Sequence, residues 1–113
     1  MSVSRGDIVL VNLDPTKGSE IKKTRPAVVI QNDTGNQYSP TTIVAPMTTT
    51  LSQYPFVVIL RASDEDVDKD SAVQLDQIRT VDIEKRIERT FGHVSDEKMT
   101  EIDAAIKVSL GLD

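Results

Sequence analysis

Apolar residues fall in strand-length runs along most of this chain and switch to helical spacing only after Ser95. Ile8 to Leu13 forms one run and Arg25 to Ile30 a second, each short enough for a strand. Between the second run and the next, Asn32-Asp33-Thr34-Gly35-Asn36 reads as a turn, because Gly35 and the asparagines tolerate positive φ. The β-branched stretch Thr41 to Ala45 predicts a strand that Pro46 ends. Phe56 to Leu60 is continuously apolar, the signature of a strand buried on both faces. Ala72 to Ile78 alternates, with Val73, Leu75 and Gln77 on one side. A helical turn near Asp82–Lys85 leads into a further strand from Arg86 to Val94.

The last segment differs. Met99, Ile102, Ala105/Ile106 and Ser109/Leu110 recur at spacings of three and four, which puts them on one helical face. Ser95 suits the N-cap, Asp96 and Glu97 suit the positive helix end, and Gly111 stands where a C-cap glycine belongs. The pattern predicts a mainly β fold: a small antiparallel barrel or strongly curved sheet, with one C-terminal helix over an opening.

Composition narrows the classes. A chain of 113 residues without linker composition is expected to be one domain over 1–113. No apolar run approaches the ~18 residues of a membrane span, and Met-Ser-Val-Ser-Arg lacks a signal-peptide core. With no cysteine and one histidine, thiolate and multi-histidine metal sites are excluded. Asp66, Asp68 and Asp70 mimic the start of a calcium loop. That loop would then need glycine and glutamate where Ser71 and Gln77 stand, so a solvated acidic loop is expected instead. No cofactor is called for. Net charge is −5, but residues 1–60 carry +1 and residues 61–113 carry −6, so any nucleic-acid surface must be local.

The local candidate is Lys17-Gly18-Ser19-Glu20-Ile21-Lys22-Lys23-Thr24-Arg25-Pro26. Pro26 disfavours the α region for Arg25 and suits a strand start, so Arg25 is expected at a loop-to-strand junction. That is a favourable place for a phosphate-binding guanidinium. On these residues alone, a solvated loop with a surface arginine explains them equally well.

Five segments in register change that balance: Arg5-Gly6-Asp7-Ile8-Val9, Asp14-Pro15-Thr16-Lys17-Gly18-Ser19-Glu20, Arg25 to Ile30, Ala45-Pro46-Met47-Thr48-Thr49-Thr50 and Leu75 to Asp82. Together they resemble the MazF/PemK family of toxin endoribonucleases, from about Arg5 to Leu112. The resemblance implies an SH3-like barrel, a homodimer in the cytoplasm, single-stranded RNA as substrate, and a cognate antitoxin as partner. It matches the family's functional arginine to Arg25 and its functional threonine to Thr48. A guanidinium can neutralise charge on a phosphorane without a metal, and the threonine hydroxyl can hold the phosphate or the attacking hydroxyl. A strand-end cap is the plain alternative for Thr48. The surface expected to hold RNA comprises Lys17, Ser19, Glu20, Lys22, Lys23, Asn32, Thr49, Asp76, Gln77 and Arg79. Glu20 and Asp76 are the candidate carboxylates. Some family members pair the aspartate with an arginine two residues earlier, and the loop glutamate with a preceding histidine. Here those positions are Gln74 and Ser19, which favours Arg25 with Thr48. His93 is expected to be structural, since one histidine cannot serve as both base and acid in one step. The rival reading is a gyrase-binding toxin of the CcdB kind on the same barrel, and a second is an RNA-binding barrel that does not cleave.

Overall fold

The computed structural model describes residues 1–112. In chain order its elements are β1 (Asp7–Asn12), β2 (Thr24–Val29), α1 (Asp33–Tyr38), β3 (Thr41–Thr48), β4 (Val57–Leu60), β5 (Ser71–Gln74), β6 (Arg79–Asp82), α2 (Ile83–Arg86), β7 (Ile87–His93) and α3 (Asp96–Leu110). The strands pair antiparallel in the order β4-β5-β3-β2-β1-β7, and β6 also pairs with β3.

The mainly antiparallel sheet with a C-terminal helix is as the sequence predicts, but the sheet does not close into a barrel. Strand β3 divides its pairing, with β6 along Thr41–Val44 and with β5 at Met47–Thr48. The edges β6 and β7 are joined through α2 rather than by a hydrogen-bonded ladder. Pro46 does not end β3: on one side of the strand it falls between these two sets of pairs, and on the other it stays in register with Ala27 of β2.

The central strands bury both faces. Ile8, Val28, Ala45 and Met47 join one core with Leu60, Val73 and Leu75. Val9, Val11, Ala27, Val29 and Val44 join a second with Val81, Ile83 and Ile87. Strand β4 is less enclosed than its unbroken apolar run suggests, since only Val58 and Leu60 are buried.

Helix α3 covers the first core with Ile102 and Ala105. Ser95 caps it by accepting from the Lys98 N–H at 3.3 Å, and Gly111 ends it at φ 68. The expected apolar face stops short of its end, for Leu110 is 52% exposed, while Ser109 donates to the Leu75 carbonyl at 2.7 Å. The expected turn at Asn32–Asn36 is instead the start of α1, whose N-cap Asn32 accepts from the Gly35 N–H at 2.7 Å. Asn36 is buried there, accepting from Thr42 at 2.6 Å and donating to the Gln31 carbonyl at 3.0 Å. Propensity points to a turn, and this tertiary anchoring makes a helix. The predicted strand Ala72 to Ile78 breaks at Gln74, where a turn over Leu75–Gln77 redirects the chain into β6.

Candidate functional site

The β1–β2 loop is a built structure. At its tip, Gly18 has φ 57, and Glu20 accepts from the Lys17 N–H at 2.7 Å. At its stem, Asp14 accepts from the Lys23 N–H at 3.0 Å, and the Leu13 N–H donates to the Lys23 carbonyl at 3.0 Å. Arginines from β6 and α2 hold the same stem, Arg79 on the Leu13 carbonyl at 2.9 Å and Arg86 on the Asp14 carbonyl at 2.6 Å.

Arg25 follows this stem at the start of β2, the predicted junction. Its Nε donates to the Lys22 carbonyl at 2.8 Å, and among the described residues its Nη groups have no partner. Thr48 ends β3, and its Oγ1 accepts from the Thr50 N–H at 3.1 Å, leaving the hydroxyl proton free to be donated. Arg25 and Thr48 line one cleft of about 300 Å³ with Glu20, Lys22 and Gln77. The geometry favours anion binding: one unpaired guanidinium fork, a hydroxyl donor and an exposed lysine around a single hollow.

A neighbouring hollow of about 490 Å³ shares Glu20, Ile21 and Gln77 with the cleft and adds Asp76 and Arg79. The Ile21 N–H donates to Gln77 Oε1 at 3.3 Å in their common wall. Lys17, Ser19 and Lys23 are exposed on the loop but do not line the cleft. Thr49 turns away, into a groove with Pro26, Val67 and Phe91. Asn32 does not join the site either, because Arg25 opens β2 while Asn32 lies beyond its far end and spends its side-chain oxygen on capping α1. Thr50, Ser52 and Gln74 also line the cleft, though none of them was assigned to it from the sequence. The hydroxyl-rich run Thr48 to Ser52 was the available signal for the first two.

A hollow of about 520 Å³ lies elsewhere, between the N-terminal segment, α1 and α2. It combines no arginine with a hydroxyl, and its Asp33 and Asn36 are engaged within the fold. His93 stands at the end of β7 against Asp7 at 3.2 Å, and its N–H donates to Asp66 at 3.1 Å. It does not line the Arg25 cleft. Three of the acidic loop residues, Glu65, Asp66 and Asp70, are tied into the fold. The Asp70 carboxyl is held below the usual range, first by the Ala62 N–H and then by Arg61, and Glu65 accepts from the Ser95 N–H at 2.9 Å.

Residues 4–110 match the model of the PemK-like, MazF-like toxin family of type II toxin–antitoxin systems. The chain is 47% identical over 110 residues to an endoribonuclease MazF of Staphylococcus saprophyticus, covering 96% of this chain and 91% of that protein. Its fold is similar to that of a mycobacterial endoribonuclease solved with its cognate antitoxin, with TM-score 0.84 and 21% identity over 99% of this chain and 98% of that one. It is also similar to a MazF from Deinococcus radiodurans, with TM-score 0.83 and 23% identity over 98% of both chains.

Proposed function

Because the chain belongs to the PemK-like, MazF-like family of type II toxins, we propose that it acts as an endoribonuclease through the Arg25–Thr48 cleft. It is an endoribonuclease toxin of the MazF kind, and a gyrase-binding role like that of CcdB is not favoured by the family match. One observation carries the assignment of the site: the Arg25 guanidinium, tethered at Nε and with both Nη groups unpaired among the described residues, shares a cleft with the Thr48 hydroxyl.

The substrate is single-stranded RNA, because in a duplex the 2′-hydroxyl is held off the line of attack and the base edges are hidden. The ribose 2′-oxygen attacks the adjacent phosphorus, the bond from phosphorus to the 5′-oxygen breaks, and the proton lost by the 2′-hydroxyl is balanced by one gained at the 5′-oxygen. The Arg25 fork takes up the charge that grows on the non-bridging oxygens. Thr48 donates to the same phosphate or holds the attacking hydroxyl. Arg25 and Thr48 are assigned charge stabilisation and phosphate positioning, while Glu20, whose Oε1 accepts from the Lys17 N–H, lines the same cleft and Asp76 lines the adjoining hollow. Lys17, Lys22 and Lys23 hold flanking phosphates, and Gln77 reads bases from the shared wall. An antitoxin covers the cleft of a homodimer in the cytoplasm, and residues 1–113 act as one domain.

Incubating the protein with a single-stranded RNA in excess EDTA tests the reading. Cleavage leaving a 2′,3′-cyclic or 3′-phosphate and a 5′-hydroxyl is expected. A strict need for magnesium, or 5′-phosphate products, would overturn it.

A further inference from the structure

The β1–β2 stem forms a chain of hydrogen bonds that ends on the Arg25 side chain. Arg86 donates to the Asn12 and Asp14 carbonyls at 3.0 and 2.6 Å, and Arg79 to the Leu13 carbonyl at 2.9 Å. The main chain of Asp14 is also held by Asn12, which accepts its N–H at 3.0 Å. From this fixed point the Asp14 carboxylate accepts from the Lys23 N–H at 3.0 Å, while the Leu13 N–H reaches the Lys23 carbonyl at 3.0 Å. Lys23 is thereby held on both sides at φ 74 and is the one non-glycine residue with positive φ among those described. A lysine in the left-handed region is strained, so its surroundings have to impose that conformation. The turn it makes brings the Lys22 carbonyl to the Arg25 Nε at 2.8 Å. A guanidinium tied at Nε keeps its two Nη groups as a fork of fixed direction.

We propose that Asp14 is a positioning residue: by locking the Lys23 turn it aims the Arg25 fork at the scissile phosphate. Arg79 and Arg86 act with it as stays on the stem. The proposal rests on the role assigned to Arg25. Misplacing a reacting group by ~1 Å can cost ~10²-fold in rate, so the effect belongs in kcat.

The test is single-turnover and steady-state cleavage of one short RNA, with thermal unfolding as a folding control. Asp14→Ala should lower kcat by about ten- to a hundredfold while KM stays within about twofold. Asp14→Asn keeps an oxygen for the Lys23 N–H and should recover most of the rate. In an Arg25→Ala background, Asp14→Ala should cost nothing further, because the two act through one group. Lys23→Val should be several-fold slower than Lys23→Gly. Both lack the ammonium group, and they differ chiefly in tolerance of positive φ. This pair still decides the question if Asp14→Ala fails to fold. A folded Asp14→Ala as fast as the parent protein, beside an inactive Arg25→Ala, would overturn the relay alone. An equal loss from Asp14→Ala with and without Arg25 would also overturn it. A fully active Arg25→Ala would instead remove the reading of the site beneath it.

Discussion

A guanidinium is useful at a phosphate only if it is both unpaired and held, and Arg25 meets both conditions through its single bond to Lys22. Arg79 and Arg86 show the contrast, since each spends an Nη group on stem carbonyls. Arg79 was expected to touch RNA, and the structure gives it this second task while leaving it on the rim of the neighbouring hollow. Single-turnover cleavage should therefore fall by about 10²–10³-fold in Arg25→Ala, with folding kept, because a junction arginine supports no core. Arg25→Lys should recover little, as an ammonium cannot offer a planar two-donor fork. Thr48→Ala should lie nearer to Arg25→Ala than to the parent, and His93→Ala close to the parent. A dead but folded His93→Ala would move the chemistry to the other end of β7. The lysines and the Arg25 junction could be named from the sequence because charge and loop chemistry are written locally, while Thr48 was named through the family resemblance. That Gln74 lines the same cleft as Arg25 could not be read, since the cleft is assembled from segments that the β3–β5 pairing brings together.

At the scale of elements, runs of strand length and the period of α3 located most of the fold. What escaped was set by tertiary partners: Asn36 turning a turn-like sequence into α1, and β3 continuing through Pro46, where its partner changes on one side and β2 stays in register on the other. Two carboxylates join elements in the same way. Asp33, at the start of α1, accepts from the Arg5 N–H at 2.7 Å, and that bond, followed by one from Asn36, holds its carboxyl below the ordinary aspartate value of 3.8. Asp70 does the same for the β4–β5 loop, through the Ala62 N–H and Arg61. A carboxyl whose folded pKa is depressed adds stability that is fully present above its unfolded value and is lost as pH falls through the folded one. The gap in urea midpoint between the parent and Asp33→Asn should thus be constant from neutral pH to just above about 4, then shrink below 3.8. A gap that stays unchanged down to pH ~2.5 would show that the Asp33 charge contributes nothing.

For the molecule as a whole, a net charge of −5 is the wrong number with which to judge RNA binding. The cations near the cleft, Lys17, Lys22, Lys23 and Arg25, all stand on one loop and its junction with β2. The acidic loop lies along β4, β5 and β7, where Arg61, Ala62 and Ser95 engage its carboxylates. Binding should therefore draw on a small, local set of phosphate contacts. For single strands, the slope of log K against log salt is about −0.7 per phosphate neutralised, so four cations give a slope of about −3. Lys22→Ala and Lys23→Ala should each flatten it by about 0.7 and weaken all RNA sequences alike, because phosphate contacts carry no base information. Measuring Kd of a short uncleavable RNA across a salt series decides the matter. A slope steeper than about −5 would require cations beyond this loop, such as Arg79 on the rim of the adjoining hollow.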